Sequence, residues 1–131
     1  MERRADWLQK MWDTVEAWRP VPFEYGRADC CRFAAAVVDA MCDTDYLAAL
    51  TYTNRAEAME WIASAGSLEL AVSAILGPAV QGYPRRGDVV LLDGEDGGAV
   101  GISVGDTFTA YQTAGLVRVA YQSATHWRIG G

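Results

Sequence analysis

The chain is short of histidine, cysteine and positive charge. Its 131 residues include one histidine, three cysteines and 11 basic residues against 17 acidic ones, which gives a formal net charge of −6. A nucleic-acid-binding protein needs a concentrated basic face, so the charge balance argues against that class. The three cysteines lie between Cys30 and Cys42, and this odd, clustered set predicts neither a disulfide framework nor a zinc site. We therefore expect free thiols, no metal, no cofactor and no nucleic-acid partner.

Long hydrophobic runs are also missing. The longest apolar stretch, from Phe33 to Met41, is interrupted by Asp39 and is far shorter than a membrane-spanning helix. The charged stretch from Met1 to Asp6 has no apolar signal core behind it. These absences predict no membrane insertion, and synthesis in the cytoplasm without a signal peptide. With 51% hydrophobic and 21% charged residues, the composition is that of an ordinary globular chain, and we expect a single domain over residues 1–131.

Helical periodicity and capping residues are concentrated in the first part of the chain. Residues 3–18 have an amphipathic pattern whose predicted core face is Ala5, Leu8, Trp12 and Val15. Asp29 is a typical N-cap for a second helix that runs to about residue 41. Two more helices are predicted to begin after residues 54 and 67, which are both capping types, and the last to end at residues 77–78.

Short apolar runs separated by turns follow from residue 87 onward. They are Val89–Leu92, Val100–Val104, Leu116–Tyr121 and His126–Ile129. Such runs are typical of an antiparallel meandering sheet. The acidic segment 93–98 lacks the ligand spacing of a calcium loop and is predicted to be a solvated turn. Helices followed by strands indicate the α+β class, with N-terminal helices packed on a C-terminal antiparallel sheet.

The segment from Pro22 to Phe33 places a cysteine where its thiol can be activated. Cys30 follows the predicted cap Asp29 and so lies in the first turn of a helix. Free backbone N–H groups and the helix dipole stabilise a thiolate there, which lowers a pKa that is otherwise about 8.5. Gly26, which follows Tyr25, allows a close backbone approach just before the helix. The alternative is that Cys30, like most free cysteines, is a small buried hydrophobic residue.

Three segments together resemble a known family. Pro22–Phe33, Gly87–Val90 and Ala99–Asp106 are similar, in order and spacing, to motifs of the NlpC-like cell-wall cysteine endopeptidases, which cleave peptidoglycan stem peptides. The resemblance covers residues 20 to about 112. It implies a permuted, papain-like core with Cys30 at the nucleophile position. The groove residues that it implies are Phe23, Tyr25, Gly26, Asp29 and Ala99.

The same resemblance places residues that cannot support catalysis at the positions of the family's catalytic side chains. Ala99 falls where the family has the general-base histidine, and Phe23 falls where it usually has an active-site tyrosine. The polar residue that orients the base is expected near Thr109 and Ala110, neither of which suits that role. The resemblance thus implies a pseudoenzyme. The single histidine, His126, lies on a predicted terminal edge strand, where a surface or capping role is expected, and its distance from the thiol is left open.

Over its full length the chain also resembles small phage proteins of uncharacterised function that are encoded among tail genes. The shared features include Arg86–Val90, Gly115–Val117 and Trp127–Arg128. This resemblance implies a virion component of a phage tail tip or baseplate that contacts other tail-tip and hub proteins. Two alternatives remain at this point. One is an active peptidoglycan-cleaving peptidase or amidase that uses Cys30 with an unrecognised base, and the other is a module that binds peptidoglycan without cleaving it.

Overall fold

The computed structural model describes residues 1–94 and 97–130. Two residues of the predicted acidic turn, Glu95 and Asp96, lie outside the described residues, as does Gly131. The described helices are α1 (Trp7–Trp18), α2 (Cys30–Cys42), α3 (Arg55–Ala65) and α4 (Leu68–Leu76), with a short 3-10 helix at Leu47–Ala49. The described strands are β1 (Val89–Leu92), β2 (Ala99–Ser103), β3 (Thr107–Gln112), β4 (Gly115–Ala120) and β5 (His126–Trp127). The predicted α+β class, with helices first and strands last, is confirmed.

The predicted N-caps of α2, α3 and α4 are confirmed by their hydrogen bonds. The side chains of Asp29, Asn54 and Ser67 each accept a hydrogen bond from the backbone N–H three residues further on. These bonds satisfy N–H groups that have no partner within the helix. The starts of all three helices were therefore encoded locally.

The buried face of α1 differs from the predicted one. Met11 and Val15 are the buried residues of this helix, whereas Leu8 and Trp12 are 39% and 38% exposed. Trp7 and Trp18 pack against the core on the same side as Met11. Apolar side chains cover more than one side of this helix, so periodicity alone did not determine which side meets the rest of the protein. The helix also begins at Trp7 and not at residue 3.

The five strands form one antiparallel sheet in the order β4-β3-β2-β1-β5. Strands β1 to β4 are a meander, and the chain then returns to add β5 beside β1. Strand β3 was not among the predicted apolar runs, because Thr107, Thr109 and Gln112 interrupt its hydrophobic pattern. In the observed strand order, β4 and β5 are the two edges of the sheet.

Alternation along the strands gives the sheet two different faces. Val89, Val100 and Ile102 belong to the main core shared with α2, whereas Val90 and Phe108 belong to a smaller apolar cluster. Because successive residues of a strand point to opposite faces, the second cluster lies on the side away from α2. This arrangement packs β2 against α2.

No single helix within the described ranges has the length and hydropathy needed to cross a bilayer. The α3 and α4 segments meet the criterion only when taken together across a bend of 79°.

Candidate functional site

Asp29 fixes the start of α2 and thereby the position of Cys30. Its carboxylate is 1% exposed. It accepts hydrogen bonds from the backbone N–H groups of Gly26 and Arg32, both at 3.0 Å, and from the Tyr52 hydroxyl at 2.9 Å. The Arg32 guanidinium adds a further contact at 2.8 Å. Four donors thus hold one carboxylate directly before the cysteine.

Gly26 lets the preceding loop pass close to another backbone segment. Its φ is +86°, and a Cβ at this position would overlap the backbone carbonyl of Thr53. A residue with a side chain would be both strained and sterically blocked. The close backbone approach predicted at this glycine is confirmed.

Cys30 opens into a small cleft between the 22–26 loop and the ends of β2 and β3. The cleft is lined by Phe23, Tyr25, Cys30, Gly98, Ala99, Tyr111, Gln112 and Thr113 and has a free volume of about 30 Å³. The structure therefore brings Phe23, Tyr25 and Ala99 together with the thiol. The other two predicted groove residues, Gly26 and Asp29, do not line this cleft and instead support the loop and the helix beneath it.

Aromatic rings close the cleft around the thiol. The ring of Phe23 lies edge-on to Tyr25, with centroids 5.0 Å apart, and stacks on Tyr111 at 5.9 Å. The Tyr111 hydroxyl donates a hydrogen bond to the Val21 carbonyl. These contacts attach the 22–26 loop to β3, and the cleft that the rings line with Cys30 is small.

A polar residue beside Ala99 in the sheet is Gln112, which was not predicted from the sequence. Gly101 pairs with Ala110 in the β2–β3 ladder, so continuing the antiparallel register by two residues sets Gln112 beside Ala99. Both residues line the cleft. Thr109 and Ala110, where a polar partner had been expected, are buried within the sheet. Only the register of β3, a strand missed in the sequence, could have pointed to Gln112.

The neighbouring thiols and backbone shift the ionisation of Cys30. A hydrogen bond from the Cys31 thiol, followed by the Val100 backbone N–H, lowers the pKa of Cys30 against the opposing effect of its burial. The same thiol–thiol contact, together with burial, raises the pKa of Cys31. Cys30 is half-buried, whereas Cys31 and Cys42 are buried. Cys30 is therefore both the more accessible thiol of the pair and the one whose pKa is lowered.

A family model described as a domain of unknown function, DUF6950, matches residues 2–129. The chain belongs to the DUF6950 family. No curated protein matches the sequence. The family match spans every helix and strand described above, so the cleft over Cys30 lies within the DUF6950 domain itself.

The single histidine of this DUF6950 domain does not reach Cys30. His126 lies on β5 and pairs with Val90 of β1. Its Nδ1 lies 2.9 Å from the Ala124 carbonyl oxygen. Strand β5 is two strands away from β2 in the sheet, a separation of about 10 Å. His126 is on an edge strand as predicted. The surface role predicted for His126 is wrong, since the residue is 2% exposed. Residues 80–82 form backbone hydrogen bonds along the side of β5 that faces away from β1, and they help to cover it.

Metal binding has no support in the residues that the structure describes. No group of three or more His, Cys, Asp or Glu side chains there is arranged to hold an ion.

Proposed function

We propose that this protein is a structural component of a phage tail tip or baseplate, built on a catalytically degenerate NlpC-like fold. In this proposal it acts through contacts with other tail-tip and hub proteins near the central hub, and it does not cleave peptidoglycan. The observation that carries the proposal is that Ala99 lines the cleft over Cys30, since the NlpC-like resemblance aligns this alanine with the general-base histidine. The resemblance of the whole chain to phage tail-module proteins supports the place of action.

A thiol without a base is a weak catalyst for amide cleavage. In the cysteine–histidine arrangement an imidazole takes the thiol proton and later donates a proton to the leaving amine. Ala99 can do neither, and His126 lies two strands away. Loss of one member of such a unit typically lowers the rate by several orders of magnitude.

The size of the cleft also argues against a bound stem peptide. Its free volume is about 30 Å³, whereas pockets that enclose small-molecule ligands typically have about 300–1,000 Å³. The stacked rings of Phe23 and Tyr111 line this cleft together with Cys30. A stem peptide would therefore need more room than this cleft offers.

A hydrolysis assay with purified protein tests the absence of catalysis. We expect no release of free amine from soluble peptidoglycan fragments by the wild-type chain or by Cys30→Ala, under conditions where an active NlpC-like endopeptidase turns over. Turnover by the wild-type chain that is lost in Cys30→Ala would overturn the proposal. Such a result would establish the alternative, an active peptidase or amidase, which the lowered pKa of Cys30 favours.

Two further measurements test the location and the remaining alternative. Mass spectrometry of purified particles of the encoding phage should detect the chain at a fixed ratio to other tail-tip proteins, and its absence would contradict a virion role. Sedimentation with insoluble peptidoglycan should leave the protein in the supernatant. Saturable co-sedimentation would instead favour a peptidoglycan-binding module.

A further inference from the structure

A second groove, separate from the Cys30 cleft, lies between α1 and the sheet. Its lining includes Trp12 and Val15 from α1, Thr109 from β3, and Leu116 from β4, and its free volume is about 710 Å³. The cleft over Cys30 has about 30 Å³. This groove, unlike that cleft, has room for a chain of several residues.

Positive charge is concentrated along the groove of an otherwise acidic protein. Three arginines, Arg19, Arg86 and Arg118, line it together with one acidic residue, Asp106. These four side chains sum to +2, and including Glu16, which binds Arg19 at 2.9 Å, leaves +1. The whole chain carries −6. The local sign is thus opposite to that of the molecule.

The arginines differ in how they are held. Arg86 donates a hydrogen bond from Nε to the Val104 carbonyl oxygen at 3.0 Å, and its guanidinium packs over Gly105. Arg118 is exposed on β4, and within residues 1–94 and 97–130 it has no ion pair or hydrogen bond that would neutralise it. One guanidinium is thus fixed at the rim and another is available to a partner.

The groove runs beside an open edge of the sheet. Among the described strands, β4 pairs with β3 alone and is the last strand on its side of the sheet. Backbone groups on its outer edge can therefore pair with an added extended segment. Trp12 is 38% exposed and offers an aromatic surface next to this edge. Aromatic residues and arginine are the side-chain types enriched at protein interfaces.

We propose that this groove binds an extended acidic segment of a partner protein, which adds alongside β4. Its carboxylates would pair with Arg86 and Arg118, and one of its apolar side chains would pack on Trp12. The identity of the partner as another tail protein rests on the proposed function, but the binding chemistry does not. A long polyanion such as nucleic acid would meet the repulsive field of the acidic molecule as a whole.

The test uses a defined probe and the full chain. The probe is a capped ten-residue peptide of alternating Glu and Val, and its reference is the same peptide with Lys in place of Glu. Amide and indole NMR signals are followed during titration. We expect saturable shifts for the acidic peptide, centred on residues 115–120 and on the Trp12 indole, and none for the basic peptide.

Two matched charge reversals decide whether the groove is responsible. Arg118→Glu lies in the groove, whereas Arg128→Glu makes the same charge change at an exposed position outside it. We expect Arg118→Glu to weaken binding of the acidic peptide at least tenfold, and Arg128→Glu to change it less than twofold. Circular dichroism of both variants excludes misfolding as the cause.

Several results would overturn the proposal. These are no saturable binding of the acidic peptide, equal loss in the two variants, or tighter binding at the same residues by a ten-nucleotide single-stranded DNA. The outcome is independent of the hydrolysis assay. A failure here removes the groove as a docking site, whereas turnover of peptidoglycan fragments removes the non-catalytic function.

Discussion

At the scale of single residues, Cys30 and Cys31 are adjacent thiols with opposite properties. Cys30 begins α2 and faces a cleft, and Cys31 is buried beside it. The hydrogen bond between the two thiols is the largest cause of the lowered pKa of Cys30 and of the raised pKa of Cys31. Sharing one proton between the thiols favours ionisation of the more accessible one.

This proton sharing predicts the pH dependence of alkylation. Because its pKa is lowered, Cys30 should react with iodoacetamide with a midpoint below that of an ordinary thiol, about 8.5. Cys31→Ala removes the hydrogen bond that contributes most to the lowered pKa of Cys30, so the midpoint of Cys30 alkylation should move to higher pH. Cys42→Ala is the matched control and should leave it in place. Mass spectrometry of the Cys30 peptide across pH measures both, and a wild-type midpoint at or above that of free cysteine would contradict the assignment.

At the scale of secondary-structure elements, the start of α2 depends on a buried ion pair. Arg32 is 8% exposed, and its guanidinium donates to Asp29, to the Leu50 carbonyl and to the Tyr52 carbonyl. It also lies over the Tyr52 ring, 4.4 Å from the centroid. This network joins the helix to the 50–52 segment. It thereby holds the first turn of α2, and with it Cys30, in place.

Removing Asp29, the acidic partner of the buried Arg32, should lower the free energy of unfolding. Asp29→Ala deletes the helix cap and leaves the Arg32 charge buried without its partner, so we expect a loss of about 3–5 kcal/mol in the free energy of unfolding. Asp6→Ala removes an acidic residue from an exposed pair with Arg4 and should change stability little. Urea unfolding of both variants at pH 7 measures the difference. Equal, small effects would show that the network contributes nothing particular to stability.

At the scale of the whole molecule, the last strand and the first residues complete the fold together. Trp127 on β5 is 1% exposed, and its indole N–H donates to the Ser73 hydroxyl on α4 at 3.1 Å. The Ile129 backbone N–H donates to the Asp88 carboxylate, and its carbonyl accepts from Arg3. These contacts link residues more than 40 positions apart in the chain. They secure the edge of the sheet opposite to β4.

The contribution of these contacts of the last strand to stability can be measured with a pair of tryptophan variants. Trp127→Ala should leave a cavity and an unpaired hydroxyl on α4, and we expect a loss of about 3–5 kcal/mol in unfolding free energy. Trp12→Ala removes the same side chain from a position on α1 that is 38% exposed, so it should cost clearly less than Trp127→Ala. Thermal or urea unfolding checks both. Comparable losses in the two variants would contradict the burial pattern of the structure.

The sequence by itself determined the features that depend on neighbouring residues. The caps Asp29, Asn54 and Ser67 act over three residues, so the starts of α2, α3 and α4 were readable from the chain. The position of Cys30 in a first helical turn followed from its cap, and the α+β class followed from the order of the periodic segments. Each of these rests on hydrogen bonds or side-chain spacing within one or two turns of the chain.

Only the tertiary structure decided the features that join distant segments. Strand register placed Gln112 beside Ala99, and the return of β5 to β1 buried His126 away from the thiol. Which side of α1 faces the core was decided by its packing partner, which left Trp12 exposed beside a basic groove. A one-residue change in register or a rotation of one helix exchanges buried and exposed side chains at no cost to local propensity. Long-range packing therefore determines these features.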